Sequence, residues 1–191
     1  MKKFISLFAG ALLLSNAAFA DVEKYQIDIK GMHAFIEFKI KHLGYSWLTG
    51  RFNDFDGQFS YDTKNPENSS VNVMIKTKSI DSNHAERDKH LRGKDFLEVS
   101  KYPAATFKST KVVSKGKGKA DIHGVLSLHG VKKDVVLDAV EIGTGNDPWG
   151  GYRRGFTGTT TLALKDYGID FNLGPASQNV EMTLHIEGVR Q

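Results

Sequence analysis

The segment from Ser82 to Val99 carries the densest set of side chains with chemistry to offer. It lacks the two-residue alternation that dominates the chain and is rich in helix formers. A helix from about Asn83 to Leu91 is expected, capped by Asp81 or Ser82 and ended by Gly93, with a second short turn over Asp95 to Val99. On such a helix His84 and Asp88 share a face, as do Glu86 and His90, because residues four apart are neighbours. A zinc site needs three or four converging ligands. The HExxH pattern is absent, since Glu86 comes two residues after His84 and the next histidine is His90. No metal site is assigned. The plain reading is a solvated, salt-bridged lid. A second reading brings Arg87, Arg92, Lys89 or Lys94 to an anionic group, because guanidinium forks suit phosphate.

Other candidate chemistry is sparse. Arg153 and Arg154 follow Asp147-Pro148-Trp149-Gly150-Gly151-Tyr152, a glycine-rich loop. Two arginines beside Trp149 and Tyr152 suit a polar group held by charge and stacking, and suit a plain surface loop equally. No serine sits in a G-x-S-x-G elbow. The seven histidines are scattered, and no carboxylate pair is placed by spacing. No catalytic residue is assigned, although a Ser/His/Asp set assembled in space lies beyond what spacing reveals. With no cysteine there is no disulfide, thiolate nucleophile or cysteine metal ligand. No cofactor is required.

The elements that must position these groups are strands. Ala34, Ile36, Phe38, Ile40 and His42 share one face of a strand, and Phe35, Glu37, Lys39 and Lys41 the other. Similar alternation runs through 71–78, 122–129 and 179–186, with weaker strands at 23–29, 50–61, 104–113, 131–142 and 155–165. Lys115-Gly116-Lys117-Gly118 and His129-Gly130 are hairpin turns, and Asn65-Pro66-Glu67-Asn68 is a loop. These strands must hide their edges, which a closed barrel does completely and a sandwich in part; strands of this length favour the barrel. The residues expected to face inward are Ile36, Phe38, Ile40, Val73, Ile75, Phe107, Leu126, Leu128, Leu162, Leu164, Met182, Leu184 and Ile186. By alternation alone they form either a packed core or the lining of a cavity. Phe55, Phe59 and Tyr61 share parity, whereas Phe52 falls on the opposite face unless a bulge, for instance at Gly57, intervenes.

Residues 1–20 read as a cleavable export signal. Lys2-Lys3 precede an uncharged, mostly apolar run from Phe4 to Leu14, and Ala18-Phe19-Ala20 supplies the small-x-small cleavage pattern. That run is too short for the roughly 20 residues of a membrane span. Cleavage after Ala20 removes two of the 26 basic residues, leaving 24 against 22 acidic. The mature chain is thus nearly neutral, with no dense basic stretch to bind nucleic acid. One domain over residues 21–191 in the bacterial periplasm is expected, without stable membrane insertion.

The blocks His33–Ser46, Asn83–Arg92, Lys101–Phe107, Leu126–Val131, Asp147–Gly151 and Leu173–Ser177, taken in this order, carry a resemblance. The chain resembles the YceI family of exported bacterial proteins over essentially the whole mature sequence. The resemblance implies an all-β fold with a short helical insertion, a lipocalin-like antiparallel eight-stranded barrel. It implies that the barrel holds a polyisoprenoid or related long-chain lipid, so that the inward residues become a lining. His42, Tyr45, Trp47, Arg87, His90, Arg92, Trp149, Arg153 and Arg154 are then expected at the mouth, around the ligand's polar head. Two rival readings stand beside a carrier: an enzyme acting on such a lipid through the His84–His90 segment, and a stress-related protein whose barrel is packed shut. The oligomeric state stays open, a dimer included.

Overall fold

The computed structural model describes residues 22–191; the expected export signal lies outside the described residues. The alternating segments become eleven strands: β1 (Val22–Ile27), β2 (Phe35–His42), β3 (Ser46–Phe52), β4 (Phe55–Asp62), β5 (Ser70–Lys76), β6 (Ile80–Asp81), β7 (Ala104–Gly116), β8 (Lys119–Leu128), β9 (Val131–Asn146), β10 (Tyr152–Ala163) and β11 (Asn179–Arg190). One helix, α1 (Ala85–Leu91), lies between β6 and β7. Every pairing is antiparallel, and the sheet closes because β11 pairs with β10 on one side and with both β1 and β2 on the other.

Three of the barrel's walls are interrupted strands. β1 and β2 follow one another along the same edge of β11. Likewise β4 pairs with β1 while β3 pairs with β2, and β5 and β6 pair with β4 and β3. Counting each as one wall gives an eight-stranded closed barrel, as the resemblance implies. The tight turns behave as their residues dictate. Lys117-Gly118 and His129-Gly130 all take positive φ, the geometry of two-residue type I′ hairpins.

Two expectations on local structure are corrected. The strand expected over 50–61 is broken at Asn53-Asp54. That break resets the alternation, so Phe52 faces inward with Phe59 and Tyr61, and no bulge at Gly57 is needed. The helix starts at Ala85, later than expected. Its cap is His84, whose Nδ1 accepts the Arg87 N–H at 3.2 Å, because Asp81 instead accepts the Asn83 N–H and turns the chain just ahead of the helix.

The gap between β1 and β2 is held from outside the barrel. Asp28 accepts the Gly31 N–H at 2.8 Å, faces His33 Nδ1 at 2.9 Å and accepts Arg153 Nη1 at 2.6 Å. Arg153 also donates to Asp147 and Glu187, tying the β1–β2 and β9–β10 connections and strand β11 to one guanidinium. Burial pushes the Asp28 carboxyl up, but hydrogen bonds from His33, Arg153 and Gly31 outweigh it and hold it down at about 2. A carboxyl lowered in the fold stabilises it above its unfolded value of roughly 4 and loses that contribution as pH falls through the folded value. Asp28→Asn is therefore expected to destabilise the protein at neutral pH, by a margin that shrinks as pH drops from about 4 toward 2. Urea midpoints across that range measure it, and a margin that does not change with pH contradicts it.

Candidate functional site: an apolar tunnel through the barrel

Successive residues of a strand face opposite sides of the sheet, so each wall sends every second side chain toward the barrel axis. These inner faces enclose a cavity of about 1110 Å³. Usual small-molecule pockets hold roughly 300–1,000 Å³, so this one suits a larger guest. All thirteen residues expected to face inward border it. It runs from the helix end, where His42, Trp47 and Leu173 line it, to the opposite end, where Pro66, Lys117 and Glu141 do. Packing is concentrated in two clusters, one around Tyr25, Ile36 and Phe59 and one around Ile80, Phe96 and Tyr167.

Glycines keep the middle open. Phe38 lies against Gly50, its cross-strand partner on β3. Phe107 lies diagonally against Gly124 on the neighbouring β8, and Phe59 reaches across β1 to Gly188 on β11; a Cβ on any of these glycines would collide with the ring. The rings therefore spread along the wall and do not stand across the lumen. Gly158 on β10 is the opposite case. It lines the cavity, and a Cβ there would meet nothing nearer than Leu184 Cδ1 at 3.7 Å.

The nine residues expected at a single mouth divide between the two ends of the barrel. His42, Trp47, Arg87 and His90 border the cavity at the helix end. Tyr45 belongs to that end but is 87% exposed and does not border the cavity, because it sits at the tip of the β2–β3 turn. Arg92 turns away from the lumen; it donates to the carbonyls of Lys78 and Ile80 and stitches the helix to the wall. Trp149, Arg153 and Arg154 sit at the far end, about the β9–β10 turn. Trp149 is 76% exposed, with the Arg153 guanidinium 5.5 Å from its ring. Arg153 and Arg154, as strand neighbours, point to opposite faces, so they do not form a joint head-group clamp. Arg153 serves the outer cluster around Asp28. Arg154 points inward and is 5% exposed, closing the floor of the barrel.

That floor is a satisfied polar cage. Arg154 donates to Glu141 at 2.5 Å and Glu23 at 3.1 Å and stacks on Tyr61 at 3.9 Å. Burial pushes Glu23 up, while hydrogen bonds from Tyr25, Arg190 and Arg154 more than reverse that and hold it below the usual carboxylate range. Burial, reinforced by Glu141, pushes the Tyr61 hydroxyl up. The histidines of the helix do not converge. His84 caps it, while His90 Nε2 lies 2.9 Å from Asp95 and its ring packs edge-on against Phe96 and Phe171. Alternation could not reveal Leu91, Phe96, Leu97 and Phe171 as lining residues, because they come from the helix and from loops.

The comparisons with known proteins agree with this geometry. The family model for the YceI-like domain matches residues 25–188. A relative described as a UPF0312 protein, from Pseudomonas aeruginosa (strain LESB58), is 59% identical over 191 residues, covering all of both chains. Among solved structures, BcnA of Burkholderia cenocepacia aligns with a TM-score of 0.74 at 19% identity, covering 84% of this chain and 98% of that one. A polyisoprenoid binding domain from Saccharophagus degradans, implicated in plant cell wall breakdown, aligns with a TM-score of 0.64 at 18% identity, covering 87% and 98%. At these identities the two structures speak for the shared barrel.

Gly158→Phe is expected to project a ring into the lumen without displacing the wall. Excluding about two methylenes of a bound chain costs about 1.6 kcal/mol, or roughly tenfold in affinity. Titration with a fluorescent long-chain lipid should show that loss while the thermal midpoint moves by only a few degrees. Unchanged affinity in a folded variant places the guest elsewhere.

Proposed function

The chain belongs to the family of YceI-like domains, and from that premise we propose that it is a carrier holding a polyisoprenoid or similar long-chain amphiphile inside its barrel. The observation that supports this most is the tunnel: a large cavity with apolar walls whose flattened rings leave its length unobstructed. Each buried methylene contributes about 0.8 kcal/mol, so a long chain is held firmly with few polar contacts. The polyisoprenoid binding domain of the Saccharophagus protein shares the fold and points to the same class of guest. The carrier makes and breaks no covalent bond. It replaces water around the tail and releases the lipid unchanged. The open lumen disfavours the rival reading of a stress-related protein whose barrel is packed shut.

The place of action is proposed from the N-terminus. Residues 1–20 have the three-part pattern of a cleaved export signal, and an aqueous compartment beside a membrane is where an apolar molecule needs a soluble container. Among the described residues no helix is long and apolar enough to cross a membrane.

Two measurements test these readings. Protein taken from its native host's periplasm, extracted with organic solvent and analysed by mass spectrometry, is expected to release about one long-chain molecule per barrel. Repeated absence of any stoichiometric lipid overturns the carrier. The intact mass of the same material is expected to correspond to a chain beginning at Asp21. A chain that retains residues 1–20, or that fractionates with the cytoplasm, overturns the location and leaves the carrier standing.

A further inference from the structure

The two ends of the tunnel differ in charge. At the far end the lining includes Lys117, Lys119 and the carboxylate of Glu141. At the helix end the basic lining residues are Lys41, His42, Arg87 and His90, and no carboxylate lines that end. Two of these have an occupation already: Lys41 lies 5.6 Å from the centre of the Trp47 ring, and His90 is paired with Asp95.

Arg87 differs from the other arginines that face the barrel's interior or its floor. Arg154 and Arg190 meet carboxylates, as does Arg153 on the outer face, whereas no ion pair holds Arg87 among the described residues. It is nevertheless fixed in place. The hydroxyl of Ser82 donates to Asp88 Oδ1 at 2.5 Å, and the Ser82 N–H donates to the same oxygen at 2.8 Å. With its hydrogen turned toward Asp88, Ser82 Oγ presents its lone pairs to Arg87 and accepts Nε–H at 2.7 Å; the Ser82 carbonyl accepts Nη2 at 2.5 Å. Ser82 is 4% exposed and Asp88 7%, so this support is rigid. A guanidinium has five N–H donors. Two are engaged with Ser82, and the remaining three have no protein acceptor among the described residues.

We propose that Arg87 reads the ligand's head: the tunnel prefers a long chain that ends in an anionic oxygen group, a phosphate or a carboxylate, over the same chain ending in a neutral alcohol. This rests on the carrier reading. The chemistry is that of a planar cation with unspent donors at the end of an apolar channel. Oxyanions match the guanidinium fork in geometry as well as charge. Leu91 and Phe96 line the cavity at the same end, and an apolar surrounding strengthens such a pairing. Asp88 acts as a positioning residue that spends its charge on Ser82, so the fork is held without being neutralised by direct contact.

The test compares a long polyprenyl monophosphate with the polyprenol of equal chain length, each titrated into the delipidated full-length mature protein. A second pair, a long fatty acid and its alcohol, separates phosphate from carboxylate as the source of the oxyanion. In the native protein the better anionic lipid is expected to bind tenfold or more tightly than its alcohol, the ratio that charge-assisted hydrogen bonds of about 1.5 kcal/mol or more produce. Arg87→Gln is expected to bring that ratio close to one while the alcohols bind as before, and Arg87→Lys to restore part of it. Three results overturn the inference: equal binding of acid and alcohol to the native protein, a ratio that survives Arg87→Gln, or a variant that loses acid and alcohol equally, which makes Arg87 a brace for the Ser82 loop. If no long-chain lipid binds the native protein at all, the carrier reading falls, and the inference falls with it.

Discussion

The closure of the sheet at β11 is the interaction on which the rest depends. This strand bonds along its whole length to β10 on one edge and divides its other edge between β1 and β2. Without that double pairing the sheet would have two open edges, and open edges are templates for aggregation. With it, the backbone groups of the wall are satisfied by the wall itself. The interior is then free of the task of holding the fold together by filling space. Stability rests on the ladder, on two apolar clusters at the ends and on ion pairs around the interrupted walls. The central lumen can therefore stay open.

The two ends have been given different work. At the floor, charges are matched: Arg154 is shared by Glu23 and Glu141 and covered by Tyr25 and Tyr61. Removing one member would leave its partners buried and uncompensated, so this end is rigid and electrically silent. At the helix end, α1 and the β2–β3 and β10–β11 connections meet around the channel. Ser177 is the local fastener there; it donates to the Lys41 carbonyl at 2.5 Å and accepts the Leu43 N–H at 3.4 Å. Leu43, Trp47 and Phe171 remain substantially exposed around this end. Exposed apolar side chains beside a channel entrance suit the entry of an apolar guest.

Much of this was legible in the sequence, for a definite reason. In a strand the side-chain period is two whatever the tertiary context, so alternation separated Ile36, Phe38 and Ile40 from Glu37 and Lys39 correctly. The same rule, applied to Arg153 and Arg154, would have separated them; reading them as a pair ignored it. Where the period is reset the rule loses its phase, as at Asn53-Asp54, and a bulge at Gly57 was the wrong device for bringing Phe52 to the inner face. Loops and the helix obey no period of two, which hid Phe96, Leu97 and Phe171. The cage around Arg154 was out of reach because its members come from four separate strands. The division of the expected mouth into two ends was equally hidden, since it follows from pairing register and not from local pattern.

The rings laid over Gly50, Gly124 and Gly188 have a mechanical consequence. By flattening against the wall they leave an interior volume that vanishes when the chain unfolds. Hydrostatic pressure favours the state of smaller volume, and internal voids are the main source of that difference. The unfilled barrel is accordingly soft to compression, and a guest that occupies the lumen stiffens it. The protein's resistance to pressure thus reports directly on its state of loading.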